Sequence, residues 1–297
     1  MCFLTKSKRI IGFCLLSFVI IVSEIYSQPI DLNKAKLDLK ITGGLTHISG
    51  GDWNTSMEGR SEWMRHLREQ AGSIYNSEID FLDGGKEFDG QVVFYLSPQL
   101  ALGVGAGYID VQGFSRSTTT TEGVTGNSGT DYKCSAIPVT FGLYYLIPVS
   151  PKIQFSVGAG AGYYFARFSA NHRREDGTGH WVTNDREGTS GDFGFHGGIG
   201  FEYSFSNSIA MVVEGVGRYA KIDGFKGTMD RADANNWSDS TEGSEYYIEY
   251  KQQGVEWFPR VIISAETPSN PDYKSVRSAV VDFSGYALRI GLKIKLF

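Results

Sequence analysis

Ten ionisable side chains stand in segments whose alternate positions are apolar: Asp38, Lys40, Glu87, Asp89, Glu202, Glu214, Arg218, Arg289, Lys293 and Lys295. Where they share a segment they are spaced by two or four residues, so each set lies on one face of an extended strand. Five are acids and five are bases. Charges withdrawn from bulk water need partners, so the chemistry expected of them is mutual ion pairing, with a gated or narrow polar pore as the sharper alternative. Other groups invite chemistry less well. His172 and His180 accompany Asp176 and Asp185, but in no zinc-ligand spacing, and Asp230, Asp233, Asp239 and Glu242 read as solvated loop acids rather than a calcium site. His47 and Ser49 lack a third member of a triad. Gly103-x-Gly105-x-Gly107 and Gly158-x-Gly160-x-Gly162 are followed by no helix, so neither reads as a phosphate cradle. The expectation is therefore no catalytic residue, no cofactor and no metal.

The elements that must position the charges are strands. From Ile153 to Phe165 every odd residue is apolar and the even ones include Gly158, Gly160 and Gly162. Seven further segments follow the same period of two, giving eight strands near 37–46, 87–96, 100–111, 135–147, 153–167, 192–205, 209–221 and 284–296. Ile41, Leu45, Phe88, Leu100, Phe141, Phe193 and Leu288 are among the outward residues, and the ten charges point inward with Tyr95, Tyr144 and Tyr164. Ser97-Pro98-Gln99, Ser150-Pro151 and Ser206-Asn207-Ser208 are tight turns. The connections between these hairpins are long: 47–86, 112–134, 169–191 and 222–283. Short and long connectors alternate strictly, as in barrels with short periplasmic turns and long extracellular loops. Within the loops, 57–70 is helix-compatible, the Thr/Gly run 117–130 reads as mobile, and 246–264 reads as a hairpin above the membrane. Counting 246–264 as spanning strands gives the alternative of ten.

Among 297 residues, 41% are apolar and 21% charged, which excludes wholesale disorder. A mean hydropathy of −0.19 does not argue against a membrane, because a barrel needs an apolar residue only at every second strand position. Lys6, Lys8 and Arg9 precede an apolar run over 10–22, too short to span and the right length for a secretory signal peptide, with cleavage expected after Ser27. Without residues 1–27 the chain has 25 basic against 32 acidic residues, so no nucleic-acid partner is expected. Cys134 is then alone, and an intramolecular disulfide is excluded.

By 137–145 (IPVTFGLYY) and 157–165 (VGAGAGYYF), the mature chain, 28–297, resembles the small outer-membrane β-barrel superfamily that includes OmpA-like, OmpX-like and OmpW-like barrels. The resemblance implies an all-β, eight-stranded antiparallel up-and-down transmembrane β-barrel in the cell outer membrane. Its partners would be outer-membrane lipid, the barrel-assembly machinery and an extracellular ligand met through the long loops. The last strand looks like the carboxy-terminal assembly signal, although Phe297 falls on the parity of Lys293 and Lys295. These motifs specify a barrel and not an activity, so the leading expectation is a non-enzymatic structural or surface-interaction role with a lumen plugged by the inward charges. Transport of a small or hydrophobic molecule, as in OmpW-like barrels, is the alternative, and lipid A modification a remoter third.

Overall fold

A computed structural model describes residues 36–252 and 255–296. The signal peptide expected over 1–27 and the terminal Phe297 lie outside the described residues. Fifteen strands and one helix follow in order: β1 (Leu37–Ile48), α1 (Asp52–Gln70), β2 (Ile74–Asp80), β3 (Gly84–Ser97), β4 (Leu100–Thr121), β5 (Val124–Ser150), β6 (Ile153–Glu175), β7 (Trp181–Ser204), β8 (Ile209–Tyr219), β9 (Lys221–Ile222), β10 (Lys226–Asp233), β11 (Ser238–Gln252), β12 (Val255–Ser264), β13 (Tyr273–Ser278), β14 (Val281–Asp282) and β15 (Gly285–Lys295). The strands pair antiparallel. Eight of them, β1, β3, β4, β5, β6, β7, β8 and β15, close into a ring, with β15 bonded to β1 on one side and β8 on the other. Each matches one of the segments read from alternation. The 246–264 stretch lies outside the ring: β11 pairs with β12, β10 and β13.

The outer surface of the ring carries an apolar belt. Leu45, Phe193, Ile199, Tyr286 and Leu288 are each between 64% and 70% exposed, a pattern that suits a hydrocarbon surround and not water. Leu100 departs from its expected outward place: it is buried beside a register irregularity between Tyr95 and Ser97 that distorts this end of the β3–β4 hairpin.

The largest correction concerns the long connections. β4 to β7 run for 22 to 27 residues, about twice the length of β1 or β8. Segments 112–134 and 169–191 are thus not loops but the far halves of two ordered hairpins. The Thr/Gly run read as mobile is a paired tip, from Ser117 opposite Ser128 to Thr121 opposite Val124. Its turn is made by Glu122 and Gly123, both at positive φ, which Gly adopts without steric cost. β2 adds to β4, and β10, β11 and β12 extend the sheet from β7.

The chemistry of the two faces inverts where the hairpins leave the ring. On β6 the inward positions become Ala166, Phe168 and Ala170 while Arg167, Ser169 and Asn171 turn outward. On β5, Ala136, Cys134 and Tyr132 are buried, with Lys133 and Asp131 outside. The far halves therefore enclose an apolar core of the kind found in soluble domains, which Ile48, Leu82, Phe225, Val281 and Phe283 join from the other connections.

Helix α1 begins five residues before the helix-compatible stretch and packs against β12 and β2. Its N-terminus has no side-chain N-cap. Asp52 in the first turn instead accepts the backbone N–H of Val280 and pairs with Arg277. Trp53 enters the core, stacked on Phe168, and Trp63 stacks on Phe258. Gly59 permits this approach, because a Cβ there would collide with Cγ and Cδ of Pro259. Gly59→Ala should therefore destabilise the outer unit by about 1–2 kcal/mol despite alanine's better helix propensity. Faster proteolysis within 52–70 reads this out, and an unchanged or slower rate would show that the contact is not tight.

Candidate functional site

The ten charges meet inside the ring. Strand pairing sets Lys40 opposite Lys293, a repulsive arrangement if each were left alone. They turn to different acids: Lys40 Nζ lies 2.6 Å from Glu214 Oε1, and Lys293 Nζ lies 2.6 Å from Glu202 Oε2 and 3.5 Å from Asp38. Lys295 reaches the other Glu202 oxygen at 3.0 Å and donates to Ser204 Oγ. Arg218 donates to Glu87 at 2.8 Å, to Thr46 Oγ1 and to the Phe283 carbonyl. Arg289 sits amid three carboxylates, Glu87, Asp89 and Glu214, at 3.5 to 3.6 Å. Every member of the set has an opposite partner, and five acids face five bases.

Neutral side chains complete the packing. The Tyr95 hydroxyl bonds Asp38, and Gln91 Nε2 donates to the Tyr144 hydroxyl at 2.9 Å. The Tyr144 ring occupies space that inward glycines leave free: a Cβ on Gly103 would stand 2.8 Å from its Cε2, and one on Gly158 would overlap Cδ1. Toward the short-turn end, Val93, Ala101 and Leu146 form an apolar cluster with Tyr95 and Tyr144. The cavities found among these residues measure about 30 and 20 Å³, each room for roughly one water molecule. Beyond the charges, in the direction of the long hairpins, the apolar core begins.

The remaining candidates are not brought together. His172 points inward beside Thr130 and Arg60, whereas His180 belongs to the β6–β7 turn, where its backbone N–H bonds Asp176. Asp230 bonds Ser240, and Asp233 caps its own turn. Among the described residues no three His, Cys, Asp or Glu side chains are grouped to hold a metal. His47 lies on the outer surface against Tyr286. Cys134 is fully buried, and burial raises its thiol well above the ordinary range. The last strand keeps a continuous register through Lys295, so no bulge alters the parity of the final residues up to that point.

Two features went unread in the sequence. Glu245, fully buried with both carboxylate oxygens unpaired, sits in the apolar core, and a group of arginines lines the space above it. Glu245 and the strand arginines belong to 169–191 and 222–283, read in the sequence as long connections, and Arg60 and Arg68 belong to the helix.

Residues 32–240 match the family described as outer membrane protein β-barrel domain. No curated protein matches the chain.

Proposed function

The chain belongs to the outer membrane protein β-barrel domain family and is an integral, transmembrane outer-membrane protein, and from that premise we propose that it crosses the bilayer through its eight-stranded ring, keeps the lumen shut with ion-paired side chains, and serves a structural or surface-interaction role through its outer sheet. The observation that carries this reading is the filling of the lumen. Five acids and five bases pair across it, and the cavities among them hold about 30 and 20 Å³. An eight-stranded barrel is just wide enough for side chains to fill its interior. The cluster of Val93, Ala101 and Leu146 packs at the level of Asp38 and Lys293 and the apolar core lies above the charges, so an ion would have to break the paired network and then cross an apolar layer to pass. Outer-membrane lipid would contact the belt of Leu45, Phe193, Ile199 and Leu288, and the barrel-assembly machinery would insert the strands. The outer sheet and α1 are the parts of the molecule free to meet an extracellular partner.

Planar-bilayer recording with the pure protein tests the plug. The expected result is no stepwise current across the physiological voltage range. Reproducible unitary steps would replace the closed lumen with a transport role.

A further inference from the structure

Above the apolar core, the far halves of β4 to β7, α1 and β12 enclose a cavity of about 850 Å³ that reaches the two hairpin tips. That volume lies in the range of small-molecule sites. Arg60 and Arg68 from the helix, Arg174 and Arg186 from neighbouring strands, Arg231 from β10 and Arg260 from β12 all line it. Its carboxylates are Glu175 and Asp176, and Asp176 is engaged by Thr178 and the His180 backbone in its own turn. Among the described residues none of the six guanidinium groups has a carboxylate within ion-pair distance. Arg186 donates to the Val261 carbonyl at 2.9 Å, Arg231 reaches only the Met229 thioether, and Arg60 lies 3.3 Å from His172 Nε2. The contrast with the lumen is direct: there every charge is neutralised, and here like charges face one another across an open space.

We propose that this chamber binds a small organic anion with an apolar body, its negative group held by the arginines and its body laid against the helix. Trp63, Met64 and Leu67 supply the apolar wall, and the Trp63 indole N–H is buried without an acceptor. Guanidinium groups are suited to this work because they stay charged and offer fork-shaped donor sets to carboxylate, sulfonate or phosphate oxygens. The field inside the chamber shows at His172, whose imidazole is pushed down to about 3 by burial and by Arg60, Arg186 and Arg174. It stays neutral at any physiological pH, and with Thr130 at its Nδ1 it serves as an acceptor for Arg60. The site is independent of the lumen plug.

Calorimetric titration of the intact protein in nanodiscs tests the proposal, with naphthalene sulfonate, neutral naphthol and naphthylmethylammonium as probes of one shape and three charges. The sulfonate should bind saturably, at least tenfold more tightly than naphthol, and quench tryptophan emission, while the cation should give no heat above its partition into the disc. The double variant R231Q/R260Q, which breaks no ion pair, should weaken the sulfonate at least tenfold. R167Q, at an outward arginine paired with Glu187, should leave it unchanged. Retention of the heat-shifted band on electrophoresis shows that each variant remains folded. Equal binding of the three probes, no saturable sulfonate binding, or full affinity in folded R231Q/R260Q would overturn the proposal. Channel currents in bilayers would bear on the plug and leave this result untouched.

Discussion

Glu214→Ala is expected to lower the thermal unfolding midpoint of the folded barrel by on the order of 10 °C, the consequence of about 3–5 kcal/mol lost when one partner of a buried pair is removed. Glu214 is the carboxylate that pairs with Lys40, at 2.6 Å, and both side chains are less than a tenth exposed. Its loss strands an ammonium that faces Lys293 across the sheet and has no second acid. Arg289 is less affected, because Glu87 and Asp89 remain beside it. The matching double change, Lys40→Met with Glu214→Leu, removes both charges and keeps their volume, so it should recover most of the loss. The midpoint is read from the loss of the heat-shifted electrophoretic band with rising temperature. An unchanged midpoint in the single variant, or a double variant as weak as the single, would refute the pairing as a source of stability.

The lumen was legible in the sequence because a strand crossing hydrocarbon leaves little freedom: apolar residues must face out, and every second position is released to carry charge. Asp38 and Lys40, Glu87 and Asp89, and Lys293 and Lys295 could thus be placed on one face without coordinates. The partners could not, since Lys40 finds Glu214 through a closure of β15 onto β1 that leaves no trace in local spacing. The outer half was misread for a different reason. Past Phe165 the odd residues turn from Val157 and Phe165 to Arg167, Ser169 and Asn171, which ends an apolar-out pattern without ending the strand. The pairing continues to Glu175, and as far as Ala170 the odd residues face water while the even ones face the core. The helix start at Asp52 was similarly hidden, because an acceptor for Val280 and a partner for Arg277 are tertiary contacts. The four arginines outside α1 come from four separate strands, and only the folded sheet makes them neighbours.

The buried Glu245 should make the outer sheet lose stability as pH rises, by on the order of 3 kcal/mol between about pH 4.5 and pH 7. Its carboxyl lies at 0% exposure with neither oxygen hydrogen-bonded, and burial raises it to about 7, with Arg186 opposing the shift only in part. The sign follows from proton counting. Between the unfolded value near 4.5 and the folded value near 7, the folded state holds more protons than the unfolded one, so stability falls with pH across that window and levels off above it. The effect should concentrate in β11, whose Glu245 backbone bonds Phe225 on one side and Ala279 on the other. Amide hydrogen exchange, corrected for its intrinsic pH dependence, should show β10 and β11 better protected at pH 5 than at pH 8. Glu245→Gln removes the charge at constant shape and should hold the protection nearly level across that range. At pH 8 the variant should be the more stable protein. A wild-type pH dependence that persists in Glu245→Gln would assign the loss to other groups, while equal protection of the wild type at both pH values would mean that the carboxyl finds a partner when it ionises.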